Sequence, residues 1–316
     1  MKKLLIATSA VVGLGLVSAD FAAAQLETSF SGLVRVRYTD NSNDGQEGSL
    51  KTNKTRLTWG AKGTTDSGLT YGGQIRWEDA ATVAKSNVYV GGGFGTVTVG
   101  NVDGAEGQLE TGVSAAASGG LDGGLTVIPT GGPNVTGNGG GADRLLYVSP
   151  SFSGLTFAAD VYTDDDNTEN DGGKKGMSAA VKYSGEFADG SFNVAAGLHR
   201  GRTDDNAGVK QDNDKGYGIG ADMTFGPISV GANYQKTEVA NVDNKAILTS
   251  AKYNFGPGNV SLGLGRLKVG SAKALKTVVA GVDYTVAPGW SVYAEAARNS
   301  GNGSNTNWLL GTNLSF

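Results

Sequence analysis

The feature that most constrains this chain is an alternation of apolar and polar side chains that recurs along its length. Over residues 29–38, Phe30, Gly32, Val34, Val36 and Tyr38 share one parity, and Ser29, Ser31, Leu33, Arg35 and Arg37 share the other. A period of two is that of a β-strand with two unlike faces. Similar patterns return near 69–77, 177–183, 217–225, 278–286 and 308–316. The connections between such segments alternate in length. Short ones fall near 61–68, 92–95, 149–154, 184–190, 226–227, 256–259 and 287–289, and four of them hold Pro150, Pro227, Pro257 and Pro288. Longer ones fall near 40–49, 79–86, 102–142, 163–174, 201–214, 237–243, 268–274 and 299–305. Seven short turns and eight long loops join sixteen strands, with both chain ends on the short-turn side.

Composition decides where such a sheet lives. Aromatic residues gather at the short turns: Phe94, Phe152, Phe187, Phe192, Phe225, Phe255 and Trp290 all flank one. Rings at strand ends form the girdle of a membrane interface. In lipid a sheet must also close, because each open-edge N–H or C=O costs several kcal/mol, roughly, without water. The expectation is an all-β fold, a 16-stranded antiparallel transmembrane β-barrel with its apolar face to lipid and its polar face to a wet lumen.

The ends and the charge balance sharpen this. Lys2 and Lys3 precede an apolar run at 4–17, and Ala22 and Ala24 form an Ala-x-Ala cleavage site. Residues 1–24 are read as a secretory signal peptide and 25–316 as the barrel. With 26 basic and 30 acidic residues the chain carries no basic stripe for nucleic acid. It has no Cys and one His, which excludes thiol chemistry and a histidine metal cluster within one chain. His199 stands among no Ser/Asp arrangement that could make a nucleophile, so no enzyme is expected. The acidic runs at 164–171 and 212–214 are oxygen-rich and could take Ca²⁺ or bridge lipopolysaccharide, but neither has EF-hand spacing. Otherwise no cofactor is expected.

The longest connection is unusual. From Asn101 to Asp143 there is no Lys or Arg, and 102–142 holds thirteen glycines with Asp103, Glu106, Glu110 and Asp122. A connection this long in a compact fold is functional or disordered. Here it reads as the third long loop, folding back into a hollow. By parity Arg35, Arg37, Lys54, Arg56 and Arg76 point inward, and strands spaced ~4.8 Å apart make them one basic patch. Facing the four acids, these five cations would set a field across a constriction.

Three stretches carry a family resemblance: Ser31-Gly-Leu-Val-Arg-Val-Arg-Tyr38, Gly93-Phe-Gly-Thr-Val-Thr-Val-Gly100 and Arg144-Leu-Leu-Tyr-Val-Ser-Pro-Ser-Phe-Ser-Gly154. In this order they resemble the Gram-negative trimeric porins, most closely the alphaproteobacterial general porins. The resemblance covers the chain after residue 24. It implies a homotrimer in the cell outer membrane, in contact with its lipid and lipopolysaccharide, with the third loop folded into the pore. It also implies that the terminal Phe316 acts as an assembly signal. The Pro-Glu-Phe-Gly-Gly loop signature of enteric porins is absent, and Gly and Ala dominate instead. The function expected is passive diffusion of small hydrophilic solutes and ions. A solute-selective porin of the same architecture is the alternative.

Overall fold

The computed structural model describes residues 26–41, 48–79, 82–112, 143–164, 174–204, 210–239, 241–301 and 303–316. The signal peptide read at 1–24, and Gln25, lie outside the described residues.

Sixteen strands follow one another. They begin with β1 (Glu27–Asn41), β2 (Ser49–Thr64), β3 (Thr70–Glu78), β4 (Thr82–Gly92) and β5 (Gly95–Asn101). A single turn of helix, α1 (Ala105–Gln108), stands in the long third connection. Then come β6 (Asp143–Val148), β7 (Leu155–Asp164), β8 (Lys174–Phe187), β9 (Gly190–Asp204), β10 (Lys210–Phe225) and β11 (Ile228–Val239). The chain ends with β12 (Val242–Asn254), β13 (Gly258–Val269), β14 (Leu275–Ala287), β15 (Trp290–Gly301) and β16 (Gly303–Ser315).

Every strand pairs antiparallel with its sequence neighbours, and β1 pairs with β16 to close the barrel. At the seam Gly32 and Phe316 exchange both backbone hydrogen bonds, at 2.7 and 3.1 Å. The Phe316 ring lies where a side chain on Gly32 would stand, so a larger residue there would displace the ring. With the seam closed, no strand edge is left for lipid to desolvate.

The alternation read from the sequence sorts the two faces. Phe30, Leu57, Val99, Leu145, Val161, Leu198, Ile219, Leu264 and Leu310 are exposed on the outer face. Arg35, Arg37, Asp160, Ser178, Asn233 and Gln235 are buried on the inner one. At the turn end Phe94, Phe152, Phe187, Phe225 and Phe255 stay exposed, and the Phe187 and Phe225 rings stack at 6.3 Å. The inner wall is not polar throughout. Ala246, Leu248, Val279, Tyr293, Ala297 and Leu309 form a buried apolar cluster on β12–β16.

Several strands outrun their expected ends. The loop expected at 299–305 is a tight reversal, because the ladder continues through Asn299–Asn305 and Ser300–Ser304 to Gly301–Gly303. Gly301 and Gly303 take positive φ there, 153° and 94°, which suits residues without a Cβ. The loop expected at 237–243 shortens in the same way to a turn at Asn241, with φ 62°. Beyond the bilayer both faces of a strand meet water, so the alternation that marks a strand fades while its hydrogen-bond ladder goes on.

Candidate functional site: the charged inner wall and the third connection

The five cations expected on the inner wall share one face. Arg35 pairs in register with Lys54, Leu33 with Arg56, and Thr58 with Arg76. A register shift after Arg35 leaves an extra residue in β2, yet Lys54 and Arg56 keep the inner parity. Arg35 and Arg37 are 7% and 5% exposed, and Arg35 Nε donates to Asn313 Oδ1 at 2.9 Å across the seam.

At the centre of this wall stands an acid the sequence reading passed over. Arg56 Nε and Arg76 Nε lie 2.6 and 3.0 Å from Glu78 Oε1, and Lys54 Nζ is 3.8 Å from Oε2. Three cations therefore share one carboxylate, and the wall keeps a positive excess. The signal was present, since Glu78 follows Arg76 by two residues and so has its parity.

The third connection begins with a second pairing that was missed. Lys85 on β4 forms an ion pair with Asp103. Lys85 pairs in register with Arg76 and so faces inward, where it is buried, while a register shift between Arg76 and Trp77 turns Val83 outward. Past Asp103 the chain lies along the inner face of the strands that follow β5. Val102, Ala105 and Leu109, spaced three and four residues apart, pack on Leu146, Ala158 and Ala180. Ala105 and Leu109, four apart, share one side of the helical turn, Val102 precedes it, and α1 lies against β6, β7, β8 and β9.

Polar contacts fix this placement. Ala105 N donates to Asp160 Oδ1 at 2.6 Å and to Ser178 Oγ at 3.1 Å. Asp160 also takes Arg144 Nη1 at 2.7 Å and the Ser178 hydroxyl. The Arg144 guanidinium sits 4.4 Å over the Tyr162 ring, which stacks on His199. His199 Nδ1 is 3.7 Å from Glu106 Oε1. Thr111 donates to Asp222 Oδ2, and Gly112 N donates to the same oxygen at 2.9 Å. The segment is thus held from β4 to β10.

The four expected acids do not act alike. Asp103 joins Lys85. Glu106 is 2% exposed, set against His199 and so turned to the wall. Glu110 remains solvent-accessible, and its pKa is raised above the ordinary carboxylate value by the surrounding protein first and the Asp103 charge second. Asp122 lies outside the described residues. So do residues 165–173, which hold most of the first acidic run proposed for Ca²⁺. The second run, Asp212–Asp214, is part of β10 rather than an outer loop. His199 is an inner-wall residue beneath α1.

A closed antiparallel barrel with an apolar outer band and a charged inner wall defines a membrane-spanning pore barrel. A family model described as Gram-negative porin matches residues 7–304, and the chain belongs to that family. Membership and the apolar band place it in the outer membrane. A protein named monosaccharide porin, from Halomonas sp, is 26% identical over 249 residues, covering 70% of this chain and 64% of that one. The match thus spans less than two thirds of that relative. Two solved structures share the fold at lower identity. OmpT of Vibrio cholerae in its trimer form has a TM-score of 0.70 at 17% identity, covering 92% of this chain and 99% of that one. The anion-selective porin from Comamonas acidovorans has a TM-score of 0.70 at 18% identity, covering 92% and 100%.

Proposed function

We propose that the chain, exported by a leader at 1–24 and folded over 25–316, forms a water-filled channel for passive diffusion of small hydrophilic solutes and ions. The observation that carries this reading is the segregation of side chains on a closed sheet, apolar outside and charged inside. In this reading the segment 103–112 narrows the lumen by lying over the polar faces of β6–β10. The positive side of the constriction is the wall of Arg35, Arg37, Lys54, Arg56 and Arg76, tempered by Glu78. The negative side is Asp103 and Glu110, with Asp122 added from the rest of the connection. Glu106 serves as a tether. Diffusion through such a field involves no bond-making and needs no cofactor; any Ca²⁺ on the acidic runs would be peripheral.

The functional unit in this reading is a homotrimer, as in the trimeric neighbour. Planar-bilayer recording tests both parts: triplets of equal conductance steps are expected. Single, unequal or absent steps overturn the trimeric channel. A second reading draws on the relative named monosaccharide porin and on the inner amides of Asn233, Gln235, Asn307 and Asn313. Here the channel discriminates among sugars. Liposome swelling that separates sugars of equal size would favour selectivity over simple sieving.

A further inference from the structure

The inner wall carries a recess on the short-turn side of its basic patch. Two glycines leave it hollow. Gly60 on β2 and Gly72 on β3 share the inward parity of Arg56 and Arg76, and neither fills its place on the wall. Gln74 precedes Arg76 by two residues on β3, and Asn87 follows Lys85 by two on β4. These two amides therefore hold the next inward positions toward the turns. Gln74 stands opposite both Gly60 and Asn87, and Ser29 of β1 stands opposite Gly60 on its other side. The recess has a volume of about 480 Å³, within the roughly 300–1,000 Å³ of small-molecule sites.

Its side chains differ from those of the patch above it. Arg56, Arg76 and Lys85 are each engaged by a carboxylate. Among the described residues, the Gln74 amide, the Tyr89 hydroxyl and the head groups of Glu27 and Lys62 have no hydrogen-bond or ion-pair partner. Asn87 Nδ2 donates to Asn101 O at 3.0 Å, which leaves its Oδ1 to accept. The Tyr89 ring lies where a side chain on Gly72 would stand, so it covers that backbone and borders the recess. Glu27 and Lys62 face each other in register at the end nearest the turns, and both are exposed, where water and salt screen them. The middle of the recess is therefore neutral. It sets two amides and a hydroxyl, which together both donate and accept, beside an aromatic ring and bare backbone. A pyranose ring matches this set: each hydroxyl donates and accepts, and its C–H face packs against an aromatic ring. A zwitterion would need opposite charges at the centre, and the central side chains supply none.

We propose that the recess around Gly60, Gln74, Asn87 and Tyr89 is a binding subsite for a neutral single-ring sugar. It holds the sugar on the short-turn side of the charged wall, apart from the inner amides of β11 and β16. The inference rests on the channel reading in one respect, that the lumen is open to solutes. Gly60 gives the means to close the subsite. A Cβ there meets the Ser29 hydroxyl at 2.9 Å, a group that can turn aside, and no backbone atom nearer than Gly73 O at 3.7 Å. On Gly72 a Cβ would strike the Ala61 carbonyl instead. Gly60→Val therefore fills the recess without forcing the sheet apart.

The test uses the full-length barrel in detergent and saturation-transfer NMR with the methyl pyranosides of glucose, galactose and mannose as probes. Transfer to the ring C–H protons of at least one of them is expected, and an excess of glycine, a zwitterion, should not displace it. Gly60→Val and Tyr89→Ala should each raise the Kd of that sugar by about tenfold or more, whereas Tyr89→Trp should stay within about threefold of the native value. Unheated gel mobility shows which variants are folded barrels, and Tyr89→Ala keeps the test open where Gly60→Val does not fold. No transfer from any of the three sugars, displacement by glycine, or a native Kd in the folded variants overturns the proposal. Ion conductance of the native chain in planar bilayers separates the two readings. Normal conductance without saturation transfer overturns the subsite alone, and absent conductance overturns the channel reading on which it rests.

Discussion

Lys85 and Asp103 form an ion pair that ties the start of the third connection to strand β4. Among the described residues the next strand after it begins at Asp143. The pair therefore sets the angle at which the connection departs. In Lys85→Met the segment before α1 loses its anchor while the apolar contacts of Ala105 and Leu109 remain. The expected result is greater open-channel noise and faster cleavage of the connection by protease, with the barrel still resistant to detergent at room temperature.

Glu78 holds Arg56, Arg76 and Lys54 together. Glu78→Gln removes one negative charge from the most basic part of the wall. A unit charge ~6 Å from a passing ion in water changes its energy by about 0.7 kcal/mol, or about threefold in occupancy. The anion-to-cation permeability ratio should rise by about that factor, read as a shift of reversal potential in a salt gradient. Replacing Arg56 and Arg76 together by Ser should shift the potential the opposite way.

Asp160 is a junction of three donors: Ala105 N, Ser178 Oγ and Arg144 Nη1, the last contributing a full charge. Both side chains of the Asp160–Arg144 pair are nearly inaccessible. Asp160→Ala leaves a buried guanidinium without this carboxylate, a loss of about 3–5 kcal/mol for a pair of this kind. The thermal transition of the barrel should fall and the α1 segment should become protease-sensitive. Asp160→Asn keeps part of the hydrogen bonding and should lie between the two.

Glu110 has a raised pKa, so the channel should lose this negative charge at a higher pH than an ordinary glutamate would. The sign follows directly. As pH falls from neutral toward the raised value, Glu110 takes a proton and cation preference declines. Reversal potentials at stepped pH should show this decline in the native channel and a flatter profile in Glu110→Gln. The same shift means that ionised Glu110 opposes folding, a cost absent at low pH and incurred as pH rises through the raised pKa.

Much of this was legible in the sequence, because one rule governs most of the chain. Phe30, Val34 and Val36 against Arg35 and Arg37 already give the two faces of β1. Glu78 obeys the same rule and could have been placed beside Arg76. Lys85, opposite in parity to the exposed Val88 and Val90, obeys it too; the outward turn of Val83 was not legible, since the register shift near Trp77 changes parity without any residue that announces it. The contacts of the third connection were not legible either. Asp160, Ser178 and Asp222 look like ordinary inner-wall residues until a segment from far along the chain lies over them. Glu106 misleads for the same reason: its charge suggests the open channel, and only the position of His199 shows that it faces the wall. The apolar cluster around Val279 and Leu309 runs against the simple rule of a polar interior.

The seam has a consequence for how the molecule comes into being. Arg35 and Asn313, hydrogen-bonded across it, are separated by 278 positions in the chain. The pairing of β1 with β16 cannot form until the last strand exists. Contacts between such distant segments form slowly, and until they do two strand edges stand unpaired, a state lipid does not tolerate. Insertion and closure are therefore bound into one event. A chain lacking β16 is not a slightly smaller pore but one with no way to finish entering the membrane.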